Sequence, residues 1–240
     1  MTVLLTRGDR AFRCEPGEEL HTDLGVLTVP EDPESGDTVE THLGEPFTVR
    51  ELRGPDLFDH LDRTGAPMMP KDVGLVMGYT GACREDRVLD AGTGTGVLAA
   101  YLGRAGADVL TFERDPEFAE TARANMELAD VADAVEVRTG DLRDELDDLG
   151  TFDLLTLDTG DAPAVVERAP EVLVHGGYVV TYSPFVENAR ASADAARDAG
   201  LSDVETRETI EREMTFDERG TRPSTAGVGH TGYLTFARKL

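Results

Sequence analysis

The stretch Val88-Leu89-Asp90-Ala91-Gly92-Thr93-Gly94-Thr95-Gly96-Val97 decides the fold. Arg87 to Ala91 reads as a short buried strand and Val97 to Gly103 as a helix. The glycines between them let the chain turn tightly and approach a ligand with no Cβ in the way. A dinucleotide fingerprint, G-x-G-x-x-G, would need its last glycine at Val97 or Ala99. No Lys-Ser or Lys-Thr pair follows, so the loop is not a P-loop. The spacing is G-x-G-x-G, with an acid, Asp90, at the strand end.

Outward from this loop, apolar strands alternate with helical stretches. A helix is expected over 72–81, and after the loop come a strand over 108–113, a helix over 116–129 begun by Pro116, and a strand over 134–139. Phe152 to Asp158 is a strongly apolar strand, Pro163 to Leu173 a helix, Gly177 to Ser183 a strand, and Val186 to Ala199 an alanine-rich helix ended by Gly200. Val204 to Ile210 and Tyr233 to Arg238 close the series. Such alternation predicts an α/β fold with a mostly parallel sheet and helices on both faces, its ligand at the carboxyl ends of the strands. Residues 1–62 differ: short apolar runs (3–5, 25–29 and 47–49) are separated by Pro30, Pro33, Gly36 and Gly44, and predict a small all-β domain. Residues 63–240 are expected to form the second domain, entered through Pro67 and Pro70.

Two more acids fall at strand ends. Glu113 ends the strand after the loop, where a carboxylate can accept from both ribose hydroxyls, and Thr139-Gly140-Asp141 ends the next, where one can accept from an adenine amino group. Asp90 suits a site holding a ligand's ammonium group. A loop for a methionine moiety, an acid for ribose and an acid for adenine are the layout of a class I S-adenosylmethionine methyltransferase. The expected cofactor contacts are Asp90, Gly92, Thr93, Gly94, Thr95, Gly96, Val97, Glu113, Arg114, Phe118, Gly140, Asp141, Leu142 and Asp158.

Composition bounds the rest. The net charge is −25, from 48 acidic and 23 basic residues, and only Lys71 and Lys239 are lysines. The acids are spread along the whole chain, which favours adaptation to high salt over an acidic interaction tail, because salt screens their repulsion. No apolar run is long enough for a membrane span and no secretory signal opens the chain, so a cytoplasmic protein is expected. Cys14 and Cys83 fit neither a disulfide framework nor a metal site, and no metal is expected.

The chain resembles the tRNA (adenine-N1)-methyltransferases that modify T-loop adenosines. His21-Thr22-Asp23-Leu24-Gly25 and Thr41-His42-Leu43-Gly44 through Phe47 look like the archaeal members, Pro70-Lys71-Asp72 like the family's entry to the catalytic domain, and Leu157-Asp158 like its catalytic motif. Arg222-Pro223 and His230-Thr231-Gly232-Tyr233-Leu234-Thr235-Phe236-Ala237-Arg238 match closely. The resemblance implies a Rossmann-like sheet of seven strands behind a small β-barrel-like domain, a homotetramer, and tRNA methylated on N1 of adenosine in the 57/58 region, with Asp158 catalytic. It also implies Met69, Arg222 and His230 as substrate contacts.

Two departures lie on the substrate side. The family's Leu-Pro-x-Pro after the aspartate is here Thr159-Gly160-Asp161-Ala162, and its Tyr or His before Pro70 is Met69. Other readings stay open at this point: a protein isoaspartyl carboxyl methyltransferase, a corrin-type methyltransferase, and a cofactor-binding subunit without catalysis. The glycine loop is shared with many methyltransferases, whereas non-catalytic relatives typically lose it, and here it is complete. The motifs at the two chain ends favour the tRNA enzyme.

Overall fold

Alternating apolar residues in the first fifty positions pair into antiparallel strands. The computed structural model describes residues 2–227 and 229–240. Its first strands are β1 (Val3–Arg7), β2 (Arg10–Cys14), β3 (Glu19–Thr22), β4 (Gly25–Thr28), β5 (Thr38–Glu40) and β6 (Pro46–Glu51). They form a four-stranded sheet in the order β2-β1-β6-β5 and a separate hairpin, β3-β4. Val3, Leu5, Cys14, Phe47 and Val49 from the sheet and Leu27 and Val29 from the hairpin share one small core. The i, i+2 spacing puts the paired strand residues on one face.

Two helices lead in, α1 (Gly54–His60) and α2 (Pro70–Thr80), and β7 (Arg87–Ala91) opens the large sheet. There follow α3 (Val97–Ala105), β8 (Asp108–Glu113), α4 (Pro116–Leu128), β9 (Val135–Thr139), α5 (Leu142–Glu145), β10 (Phe152–Leu157), α6 (Ala162–Val166), α7 (Ala169–Val172), β11 (Leu173–Ser183) and α8 (Val186–Asp198). The chain ends with β12 (Ser202–Glu208), the hairpin β13 (Met214–Asp217) and β14 (Gly220–Pro223), and β15 (Tyr233–Arg238). The sheet order is β12-β15-β11-β10-β7-β8-β9, and β15 alone runs antiparallel to its neighbours. This is the expected seven-stranded, mostly parallel α/β sheet. From β7 the chain steps outward through β8 to β9 and then returns through β10 to β11, so the crossover reverses between β7 and β10. A crevice opens at such a reversal.

Both faces are covered, so neighbouring strand residues are buried on opposite sides. Val88, Leu154 and Val180 join the core under α1 to α4, while Leu89, Leu155 and Val179 join the core under α5 to α8. Leu57 and Leu61, from α1 and its end, belong to the first of these cores, so the segment after the N-terminal sheet packs against the large one. Asp115 caps α4, accepting from the N–H groups of Glu117 and Phe118 at 2.8 and 3.2 Å, with Pro116 in the first turn. Among the described residues no helix is long and apolar enough to cross a membrane.

Three local expectations change. The helix expected over 163–173 is two short helices, because Pro170 has no N–H to continue α6 and its ring crowds the carbonyl a turn earlier. Leu173 then begins β11, four residues before the expected Gly177. The strand expected over 204–210 is β12 over 202–208, held in register by Ser202 opposite Arg238.

The segment between α1 and α2 is tied to the glycine loop by one buried amide. Asn125 of α4 donates through Nδ2 to the carbonyls of Asp62 and Thr95, both at 2.9 Å, and accepts from the Asp62 N–H at 2.9 Å. Asn125→Ala would leave the buried Thr95 carbonyl unpaired, at about 1–3 kcal/mol before relaxation, and would free the part-buried Asp62 amide and carbonyl as well. The expected outcome is a loss of at least about 2 kcal/mol in denaturant unfolding at constant salt; an unchanged midpoint would show that the tie carries no stability.

Candidate active site

The carboxyl ends of β7, β8, β9 and β10 wall a cavity of about 330 Å³. Ten of the expected cofactor contacts line it: Gly92, Gly94, Thr95, Glu113, Arg114, Phe118, Gly140, Asp141, Leu142 and Asp158. Asp90, Thr93, Gly96 and Val97 border a smaller adjoining cavity of about 50 Å³, shared with Pro67 and Met68. A narrow apolar crevice between Met68, Leu98, Leu157, Tyr182 and Leu234 adjoins in turn. Asp158 lines all three spaces.

The loop glycines answer to different demands. Gly92 has φ +89°, and a Cβ there would lie 2.1 Å from the Asp158 carbonyl oxygen. The Asp158 N–H donates to the Ala91 carbonyl at 2.9 Å, which draws the ends of β7 and β10 together at this point. Gly96, at φ +83°, faces the tip of Met126, and a Cβ there would lie 2.5 Å from the Met126 methyl carbon. Gly94 has φ +53° and meets nothing closer than 3.7 Å, so only a ligand would make its missing side chain matter.

The acids fall into two groups. Asp141 caps α5 and is gripped by Arg143, at 3.0 Å from Nε and 2.6 Å from Nη2; these bonds hold its carboxyl at about 2. Arg114 and Arg143 also reach Asp161, at 2.7 and 3.4 Å, so the loops after β8, β9 and β10 meet in alternating charges at the rim. Asp90 is buried and spends both oxygens on threonines, accepting from Thr111 and Thr156 at 2.5 Å each. Because the Thr111 hydroxyl donates to Asp90, Thr93 donates to Thr111 in turn. Burial raises the Asp90 carboxyl despite these bonds.

Asp158 and Glu113 form the second group. Glu113 accepts from the N–H of Gly94 at 2.9 Å and of Asp115 at 3.0 Å, which sets its carboxylate against the glycine loop. Asp158 is open to solvent through the cavity yet stands deep between its walls; that desolvation first, and the charges of Asp90 and Glu113 next, push it up to about 7. Among the described residues the arginines of the rim pair with Asp141 and Asp161, not with these two acids. A cavity with unneutralised carboxylates and a backbone open at Gly94 fits S-adenosylmethionine, which carries a sulfonium and an ammonium. Glu113 would hold its ribose and Asp141 its adenine.

Residues expected to touch substrate stand outside these spaces. Met69 is the half-buried N-cap of α2, and its neighbour Met68 borders the cavities instead. Arg222 lies on the exposed β14, 3.9 Å from Asp217. His230 bonds Glu208 and the Pro184 carbonyl. Sequence reasoning missed Tyr182, whose ring walls the crevice beside Asp158. Its hydroxyl donates to the Thr231 carbonyl at 2.7 Å, and burial with the charges of Asp72 and Asp158 pushes it up to about 12. Behind it, buried Lys71 donates to Asp72 at 2.8 Å and to the Thr231 hydroxyl at 2.7 Å, which donates to Asp72 at 2.9 Å. A Cβ on Gly232 would strike the Tyr182 ring at 2.5 Å. The motifs Lys71-Asp72 and Thr231-Gly232 are thus the frame that holds Tyr182. A strand-end aromatic beside the strand carrying Asp158 was the available signal for it.

The family model of the tRNA methyltransferase complex GCD14 subunit matches residues 61–219. A protein of Methanocaldococcus jannaschii named tRNA (adenine(57)-N(1)/adenine(58)-N(1))-methyltransferase TrmI is 34% identical, over 97% of this chain and 92% of its own length. The crystal structure of tRNA (m1A58) methyltransferase TrmI from Aquifex aeolicus superposes with a TM-score of 0.79 at 25% identity, covering 100% of this chain and 97% of that one. An S-adenosylmethionine-dependent O-methyltransferase of Thermotoga maritima gives 0.85 at 25% identity, covering 100% and 92%.

The glycine geometry separates folding from binding. Gly94→Ala is expected to cost about 1 kcal/mol for its left-handed backbone and to weaken S-adenosylmethionine binding at least tenfold by calorimetry. Gly92→Ala must push the end of β10 aside, and is expected to lower the unfolding midpoint far more. Equal effects of the two on stability would contradict this assignment.

Proposed function

This chain belongs to the tRNA methyltransferase family of the GCD14 subunit and TrmI, and from that membership we propose that it methylates N1 of an adenosine in the tRNA T loop, in the 57/58 region. It is an S-adenosylmethionine-dependent methyltransferase. The observation that carries the acceptor reading is Asp158, an acid without a basic partner among the described residues, standing where the cofactor cavity, the glycine-loop cavity and the Tyr182 crevice meet.

S-adenosylmethionine, when bound, supplies an electrophilic methyl group on a positively charged sulfur. The glycine loop leaves room for its methionine part, and Glu113 and Asp141 hold its nucleoside. N1 lies on the Watson–Crick edge, so the target base must leave its stack or pair to be reached. Asp158 accepts a hydrogen bond from the base's amino group and stabilises the positive charge that the ring gains with the methyl group. Adenine N1 carries no proton at neutral pH, so no base has to remove one. Positioning and this charge pairing supply the catalysis.

A protein carboxylate as acceptor is disfavoured physically. It would approach Asp158 with Asp90 and Glu113 behind it, and like charges repel. A non-catalytic subunit is disfavoured by the complete glycine loop and by Asp158. We extend the proposal to a homotetramer in a salt-rich cytoplasm. Ile210, Met214 and Phe216, 61%, 47% and 77% exposed, offer a second copy an apolar face, and the acids spread along the chain suit high salt. Arg222 on the same hairpin would meet RNA outside the cavity, and Met69 would act through its neighbour Met68.

Incubation with labelled S-adenosylmethionine and unmodified tRNA at high salt, followed by nucleoside analysis, is expected to yield 1-methyladenosine. Label in protein instead would refute the acceptor. Asp158→Asn is expected to lower kcat about 100-fold or more while the protein still binds S-adenosylmethionine. Loss of binding and turnover in equal measure would make Asp158 a cofactor ligand only.

A further inference from the structure

At the carboxyl rim of the sheet, just past the end of the strand that brings Tyr182 to the crevice, two apolar side chains stand in water. Phe185 is 68% exposed and Val186 52% exposed. They follow β11 directly, three and four residues beyond Tyr182. Exposed apolar residues at loop tips are common, but the backbone under this one is held from several sides. The Ser183 hydroxyl accepts from the Phe185 N–H at 3.1 Å and donates to the Phe185 carbonyl at 3.2 Å. The Ala189 N–H donates to that carbonyl at 3.1 Å as α8 begins. His230 grips the preceding residue, with Nε2 2.9 Å from the Pro184 carbonyl and Nδ1 2.7 Å from the Glu208 carboxylate. Both partners are acceptors, so the imidazole satisfies both only as a double donor. Its ring rests on Tyr233, with centroids 4.9 Å apart. Side chains from β11, β12 and the segment before β15 thereby fix the backbone of a residue whose own ring is left in water.

We propose that Phe185 is the stacking surface for a nucleobase next to the target adenosine, and that His230 is a positioning residue that presents this ring. The inference rests on the reading of the acceptor as an adenosine in RNA. A base that swings out to expose N1 leaves a neighbour with one bare face. An aromatic plane at the rim of the acceptor crevice covers such a face, and does so for any base.

Charge points the same way. RNA is commonly gripped by lysines and arginines on its phosphates, and salt weakens that grip steeply. Here both lysines are committed inside the protein: Lys71 to Asp72 and Thr231, and Lys239 to the carbonyls of Pro170 and Leu173. The chain carries a net charge of −25. Stacking between neutral surfaces escapes the screening that removes phosphate contacts, so an exposed ring beside the site is the contact best suited to such a protein.

The test measures KM for a tRNA transcript and kcat by 1-methyladenosine formation, S-adenosylmethionine affinity by calorimetry, and sedimentation. It compares the intact chain with Phe185→Ala, Phe185→Trp and His230→Ala. Phe185→Ala is expected to raise KM for tRNA about tenfold, with cofactor affinity, sedimentation and kcat at saturating tRNA unchanged. Phe185→Trp is expected to restore KM. His230→Ala is expected to raise KM by a smaller factor without changing the slope of KM against salt, since no phosphate contact is lost. An unchanged KM in Phe185→Ala overturns the proposal. A change in its sedimentation also overturns it, because the ring would then be covered by a second copy of the chain. A wild-type enzyme that forms no 1-methyladenosine refutes the acceptor reading itself, an outcome distinct from a working enzyme indifferent to Phe185.

Discussion

The carbonyl oxygen of Asp158 occupies the space in which any residue but glycine at position 92 would carry its Cβ, 2.1 Å away. The rest of the site depends on that close approach. It joins the ends of β7 and β10, the two strands between which the crossover reverses, and gives the glycine loop and the acid a common wall. The main chain reinforces the junction, from Asp158 N–H to Ala91 and from Gly92 N–H to Phe112, both at 2.9 Å. On the far side of the loop, Asn125 and Met126 of α4 press on Thr95 and Gly96. The cofactor side and the acceptor side are therefore one packed unit, and the acid cannot drift from the loop without opening the sheet.

Charge is distributed over this frame with a clear division. Asp141 and Asp161 are neutralised by Arg114 and Arg143, and Asp90 is held by threonine hydroxyls. Asp158 and Glu113 are left facing the cavity. A protein of net charge −25 could have covered these acids with arginine, as it does at the rim. In the proposed mechanism both acids would face the cationic cofactor, and the charge at Asp158 would then serve a base that becomes positive.

Much of this was legible in the chain. The inner strands β7, β10 and β15 are nearly continuous apolar runs because both faces are covered, and such runs can be read directly. The glycine spacing and the acids Glu113, Asp141 and Asp158 stand at strand ends, where a parallel sheet gathers its ligands. What was not legible depends on contacts between distant segments. Arg143 and Asp161 became part of the site only because two loops converge, and Thr64 to Ala66 because Asn125 ties Asp62 to the loop and Thr64 bonds the Thr95 hydroxyl. Tyr182 looked like one more residue of an apolar strand. The short helices α1 and α5 and the exposed hairpin β13–β14 carry no periodic burial, so nothing in their pattern announced them. Pro170 was a stop signal that the apolar pattern around it concealed.

Under the proposed mechanism Asp158, which has no basic partner among the described residues, is the acid that the cationic cofactor would meet. In the free protein its carboxyl is pushed up to about 7, so near pH 6 it is mostly protonated. A cation bound beside it favours the ionised form and lowers that value. Binding must then expel a proton between roughly pH 5 and 7, and affinity must rise with pH across this range and level off above it. Titration calorimetry of S-adenosylmethionine binding at pH 6, in buffers of different ionisation enthalpy, measures this directly. Release of close to one proton by the wild type, and almost none by Asp158→Asn, is the expected result. Equal release by the two proteins, or none by the wild type, would contradict it.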